Sequence, residues 1–259
     1  MSFFRALGRS VQLMGYFVVA GTELLVKRPT TREARADWLH RFSARALRGL
    51  GVEISVAGDF PERGALISNH LSYVDIVTFA ALHPCVFVSK AEIAEVPVLG
   101  WMTTMAGTVY VARGRGGSAI KARQGMQAAL DAGLPVVFFP EGTTTNGSQM
   151  LKFHSGLIAQ VMESNAPITA AHIRYALTEE NGLNAADGVC WGDDTKMLSH
   201  IFRFLGLRGV RAEVRFAERP IAFSADVLHR KQAAAEARAA VAALAAAREE
   251  QQTLTVVRG

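Results

Sequence analysis

The chain opens with two stretches of helical periodicity and then changes character. Residues 11–26 read VQLMGYFVVAGTELLV, with Arg5 and Arg9 before them and Lys27 and Arg28 after them. Over 31–50, Trp38, Leu39, Phe42, Ala46 and Leu47 recur at helical spacing with arginines between them. Past Gly51 the period shortens. VEISVAG at 52–58 alternates as a strand does, and Val-, Ile- and Phe-rich runs follow at 65–68, 86–89, 108–113 and 135–139. Helical patterns lie between several of these runs. The clearest spans 118–131, with Ser118 placed to cap it and Gly133 and Pro135 placed to end it. Further strands are predicted at 167–175 and 210–218, and an amphipathic helix at 197–205 with Arg203 and Arg208 nearby. From Ser224 to about Gln251 the Ala, Arg, Glu and Gln content favours a helix with a weak apolar stripe, which suits a cover at the domain edge.

Strands alternating with helices predict an α/β fold: a mixed, largely parallel sheet flanked by helices. Three segments follow from the pattern: N-terminal membrane-associating helices at 1–50, a central domain at 51–223, and an Ala-rich helix and tail at 224–259. A membrane-spanning helix needs roughly twenty apolar residues. The stretch at 11–26 is shorter and carries Glu23. A secretory signal has a similar shape, but no small-residue cleavage site follows. A buried core helix also fits the period. The preferred reading is a helical hairpin that lies on or dips into one leaflet, its basic flanks at the headgroups, on the cytoplasmic face of an inner membrane.

Composition sharpens this picture. The chain has 259 residues, 50% of them apolar, and a net charge of +5; its mean hydropathy is +0.17. That is enough for one large core, and the mild basic excess suits an anionic surface or anionic substrates. Nucleic acid is set aside as a partner: there is no dense Lys/Arg run with interleaved aromatics, no helix-turn-helix and no zinc-finger spacing. Cys85 and Cys190 form neither a C-x-x-C pair nor a disulfide framework, which fits a reducing compartment. No Walker A sequence or strand-linked G-x-G-x-x-G is present.

Candidate chemistry concentrates in three places. In ISNHLSYVDI (67–76), Ser72 and Asp75 fit an S-x-x-D capping box, a complete structural role for Asp75. A helix starting near Ser72 also lets His70 fold back over the first turn. Asp75 then accepts from one ring nitrogen, and the other is left as a general base. With no G-x-S-x-G nucleophile in the sequence, the hydroxyl to be activated belongs to the substrate. In VVFFPEGTTTNGS (136–148), a strand runs into a polar turn. Backbone N–H groups near Gly142, with the Thr143, Thr144 and Thr145 hydroxyls, can cradle an anion or headgroup, and Glu141 can accept from substrate hydroxyls. In GTVYVARGRGG (107–117), Arg113 and Arg115 follow a strand end, where an arginine holds phosphate well. Lys90, after the run at 86–89, is placed similarly. A plain turn explains each of these loops equally well when taken alone.

Together the motifs are recognisable. N-H-x-x-x-x-D (Asn69, His70, Asp75), G-x-x-Y-V-x-R (Gly107 to Arg113), F-P-E-G-T (Phe139 to Thr143) and A-P-I (Ala166 to Ile168) occur in this order. The chain resembles the glycerolipid acyltransferase family, best known for 1-acylglycerol-3-phosphate acyltransferases, over about 65–174. The N-terminal hairpin also resembles the family's membrane-docking element. The resemblance implies acyl transfer from acyl-CoA or acyl carrier protein to the hydroxyl of a lysolipid, in the first place a lysophospholipid (1-acylglycerol-3-phosphate to phosphatidic acid). It implies His70 as base with Asp75, substrate contacts from Asn69, Lys90, Arg113, Glu141, Gly142, Thr143 and Thr144, and no metal or cofactor. Two positions depart from the family pattern: Thr144 replaces an arginine and Ala112 an aspartate. The lost positive charge makes a headgroup other than phosphate plausible, notably that of lyso-ornithine lipid, and 189–197 (VCWGDDTKM) resembles that branch. A silent lipid-binding protein of the same fold and a thioester or lysolipid hydrolase are the other readings.

Overall fold

In the computed structural model, residues 2–96, 99–111, 116–192, 196–224, 227–246 and 255–257 are described. Two helices come first, α1 (Phe3–Lys27) and α2 (Arg32–Gly49). Ser2 caps α1 by accepting from Arg5 N, and Thr31 caps α2 by accepting from Ala34 N. Arg28 takes up φ 42°, and this left-handed residue ends α1 and turns the chain back into a hairpin.

The remaining elements alternate. In chain order they are β1 (Glu53–Ala57), β2 (Ala65–Ile67), α3 (Tyr73–Leu82), β3 (Val86–Lys90), α4 (Leu99–Met105), β4 (Val109–Val111), α5 (Gly116–Asp131), β5 (Val136–Phe138), α6 (Ser155–Glu163), β6 (Ile168–Leu177), α7 (Ala185–Gly188), α8 (Met197–Leu205), β7 (Val210–Phe216), α9 (Arg230–Ala246) and β8 (Thr255–Val257). The helix predicted from Ser118 begins at Gly116, which puts Ser118 inside the first turn and not at the cap.

The strands form one sheet in the order β4-β3-β5-β2-β6-β7-β1-β8. Neighbours from β4 to β6 are parallel. β6 and β7 are antiparallel, β7 and β1 parallel, and β1 and β8 antiparallel. The sheet is therefore mixed and largely parallel, as the sequence pattern implied. β2 and β5 lie in its middle and are buried throughout, which is why they read as unbroken apolar runs. Their residues alternate between two cores. Leu66 and Val137 face a core with Phe79 of α3 and Leu205 of α8. Ala65, Ile67, Val136 and Phe138 face a core with Met126 of α5, Ile158 of α6 and Val241 of α9. The weak stripe of α9 is thus sufficient, since its small residues Ala233 and Ala237 pack closely.

A third cluster joins the N-terminal hairpin to α4: Ala20 and Leu24, Trp38 and Phe42, Met102 and Ala106. Trp38 stacks on Phe42 with ring centroids 6.0 Å apart and donates its indole N–H to Ala20 O at 3.2 Å. Outside these contacts α1 buries little and exposes much, so it is not a core helix. No helix among the described residues is long and apolar enough to cross a membrane.

Trp38→Ala is expected to cost about 3–5 kcal/mol where the hairpin meets α4. Thermal unfolding followed by circular dichroism should show a lower or split transition; an unchanged single transition would mean the hairpin is not integral to the fold.

Candidate active site

The parallel strands β3, β5 and β2 are neighbours, so their C-terminal ends open on one edge of the sheet, where α/β folds bind ligands. His70 follows β2, the loop from Glu141 to Thr144 follows β5, and Lys90 ends β3 with its side chain in solvent. Arg113 and Arg115 lie outside the described residues, just past β4.

The site is organised by Asp75, in the first turn of α3 and fully buried. Its Oδ2 accepts from Ser72 N at 3.0 Å and Leu71 N at 2.7 Å, and thereby closes the turn into α3. The same oxygen lies 2.7 Å from His70 Nδ1. Oδ1 accepts from the Tyr175 hydroxyl at 2.6 Å. Asp75 therefore both closes the helix turn and orients the histidine. A carboxylate at Nδ1 assigns the ring proton of neutral His70 to that nitrogen and leaves the Nε2 lone pair open. Nε2 has no hydrogen-bond partner among the described residues. The ring stacks on Phe139, centroids 4.0 Å apart and 9° from parallel, with Phe79 behind Phe139 at 6.0 Å.

The loop after β5 holds the backbone of His70. Glu141 Oε1 accepts from His70 N at 2.8 Å, Glu141 Oε2 from Leu151 N at 2.7 Å, and Thr145 N donates to His70 O at 3.0 Å. Burial raises the Glu141 carboxyl above its ordinary range, and these backbone donors oppose that shift. Arg238 of α9 grips the far end of the loop, donating to Leu151 O at 2.9 Å and Met150 O at 2.7 Å.

Three expectations change here. Asn69 is buried and spends its amide on β6: Nδ2 donates to Ile173 O at 2.9 Å, and Oδ1 accepts from Ile173 N at 2.8 Å. It extends the pairing of β2 with β6 past the end of β2, and both ends of its amide are used in that pairing. Glu141 likewise meets backbone groups. The N–H of Gly142 is committed to Phe139 O at 3.0 Å, at φ 71°, so it closes a turn and is not free to cradle an anion. Thr143 and Thr144 are half-buried on that loop.

Sequence reasoning missed Tyr175, Phe139 and His200. Tyr175 carried a signal: in the predicted strand it shares a face with Ala171 and Ile173, and a buried tyrosine needs a partner for its hydroxyl. His200 of α8 is buried, with Nδ1 3.1 Å from the Tyr73 hydroxyl and Nε2 2.9 Å from Cys190 O. Burial lowers its pKa below the ordinary histidine range, so the ring is held neutral as a structural link between α8 and the first turn of α3.

Comparison with known proteins fits this geometry. The acyltransferase family signature matches residues 52–174, which include the Asp75, His70 and Glu141 segments. A lyso-ornithine lipid O-acyltransferase of Brucella abortus is 30% identical over 201 residues, covering 73% of this chain and 74% of that protein. The chain belongs to the acyltransferase family. Another lyso-ornithine lipid O-acyltransferase, from Pseudomonas aeruginosa, is 37% identical over 178 residues, 68% of this chain and 65% of that protein. A 1-acyl-sn-glycerol-3-phosphate acyltransferase of Neisseria meningitidis is 30% identical over 177 residues, 67% of this chain and 69% of that protein. The crystal structure of the 1-acyl-sn-glycerophosphate acyltransferase PlsC from Thermotoga maritima aligns with a TM-score of 0.60 over 96% of this chain and 100% of that one. At 17% identity it shows that the two share a fold.

Within this acyltransferase fold, Tyr175→Phe is expected to leave Asp75 Oδ1 unpaired in the core. The variant should lose about 1.5–3 kcal/mol of stability. It should also lower kcat for acyl transfer, because the carboxylate that orients the His70 ring is held by one donor fewer. An unchanged kcat alongside reduced stability would restrict Tyr175 to packing.

Proposed function

We propose that the protein transfers a fatty acyl group from a thioester, acyl-CoA or acyl carrier protein, to the hydroxyl of a lysolipid at a membrane surface. The observation that carries this reading is the His70–Asp75 pair at the strand edge, with Nε2 hydrogen-bonded to no serine or cysteine among the described residues. Nε2 takes the proton of the acceptor hydroxyl as its oxygen attacks the thioester carbonyl. The tetrahedral intermediate collapses, the C–S bond breaks, and the departing thiolate takes the proton from Nε2. Asp75 fixes the tautomer and stabilises the transient imidazolium. The thioester is already activated, so these residues suffice for the chemistry.

We favour lyso-ornithine lipid as the acceptor. Thr144 stands where the common family pattern has arginine, and relatives named for that acceptor are among the most similar. An acceptor without a phosphate has less need of that charge. 1-Acylglycerol-3-phosphate is the second reading, supported by the Neisseria relative and by the position of Arg113 after β4. The membrane surface is supported by α1, where Phe3, Leu7, Val11, Met14, Val18 and Leu25 fall on one exposed face between basic ends. Cytosolic thioesters put the working side on the cytoplasmic face of the inner membrane.

His70→Ala is expected to reduce kcat at least roughly a thousandfold with the fold intact. The assay is radiolabelled acyl transfer with both thioester donors, to lyso-ornithine lipid and to 1-acylglycerol-3-phosphate side by side. Normal transfer by the variant would reject the mechanism. Faster turnover of the phosphate acceptor would reject the favoured headgroup, and fatty acid released without acceptor would make the protein a hydrolase.

A further inference from the structure

The exposed apolar face of α1 does not stop at α1. At its N-terminal end the Phe3 ring lies 5.5 Å from that of Phe202 on α8. Leu198, one turn earlier on the same face of α8, is 77% exposed. The two helices are fixed to each other there: Arg5 donates to Gly206 O at 3.1 Å and Arg9 to Leu207 O at 2.6 Å, at the C-terminal end of α8. At the other end, α1 passes the indole of Trp101 on α4, which is 44% exposed. A Cβ at Gly21 would meet that ring at 3.7 Å, an ordinary contact distance, so Trp101 lies directly against α1 there.

We infer that α8 and α4 dock on the bilayer together with α1, through Leu198 and Trp101, as one continuous lipid-facing surface. This rests on the reading of α1 as an interfacial helix and extends it to two elements far along the chain. A lipid surface is the occupant that fits. Single exposed leucines are ordinary, but here they join an apolar stripe running the length of α1. Exposed basic groups rim the patch, Lys27 and Arg28 at one end and Lys196 at the other, and they suit anionic headgroups. Tryptophan at the margin of such a patch is at home at headgroup depth. The placement also has a consequence for access. α8 sits over Tyr73 in the first turn of α3 through His200, and α4 is entered from the C-terminal end of β3, on the substrate edge. Bilayer contacts thus flank His70 on two sides, and an acceptor reaches it without leaving the interface.

The test attaches an environment-sensitive nitrobenzoxadiazole label at one introduced cysteine at a time: L198C, W101C, V11C on α1, and L228C as control. Leu228 is 87% exposed but lies off the patch, beside α9. The native Cys85 and Cys190 are buried. With vesicles of zwitterionic lipid and one-quarter phosphatidylglycerol, the labels at 198, 101 and 11 should brighten severalfold with a blue shift while that at 228 stays as in water. A response at 11 alone overturns the extension to α8 and α4 and leaves the interfacial reading of α1 standing. A response at none overturns both. A shift that grows with protein concentration without vesicles assigns the face to a second copy and overturns the inference. Independently, Leu198→Glu should weaken vesicle co-sedimentation roughly tenfold, and unchanged co-sedimentation counts against it.

Discussion

A carboxylate without water around it is expensive unless donors replace the water. Asp75 is fully buried, and four donors converge on it: two backbone N–H groups, the His70 ring and the Tyr175 hydroxyl. Much of the architecture can be read as the means of bringing them together. The backbone pair requires α3 to begin within the turn that leaves β2. The His70 ring requires that turn to fold back over the helix start. The Tyr175 hydroxyl requires β6 beside β2 in the observed register, with Ala65 opposite Ile168. Asn69 secures that register beyond the last residue of β2.

The His70–Asp75 pair is held from the opposite direction as well. Glu141 grips the His70 backbone, Leu151 grips Glu141, and Arg238 of α9 grips Leu151. The chain of contacts explains why a helix far from the substrate edge belongs to the same folding unit as the site. It also divides the labour: α5, α6 and α9 support the loops from one face of the sheet, while α1, α3 and α8 cover the other and include the exposed apolar surface.

Much of this was legible in the sequence, for identifiable reasons. β2 and β5 are central, so burial on both faces wrote them as plain apolar runs. Asp75 was legible because a capping box and a His–Asp pair share one residue. What the sequence did not show is where a polar group in these loops directs its hydrogen bonds. Asn69 and Glu141 sit in the expected loops, but their hydrogen bonds go to Ile173 and to the His70 backbone, partners set by tertiary structure and not by neighbours in sequence, while the Gly142 N–H is taken by the local turn to Phe139. β8 was read as tail because its few residues gain strand character only by pairing with β1. Tyr175 was placed on the correct strand, yet its target lies a hundred residues away.

The central claim is that the negative charge of Asp75, and not merely its shape, makes His70 a base. Asp75→Asn isolates the charge. Its amide oxygen can still accept from Leu71 and Ser72, and the Tyr175 hydroxyl can turn to accept from the amide nitrogen. The decisive measurement is kcat of this variant for acyl transfer, made on protein whose near-ultraviolet circular dichroism matches the wild type. The account predicts a fall of roughly a thousandfold or more with KM for the acceptor little changed. Wild-type kcat in a folded Asp75→Asn protein would contradict it.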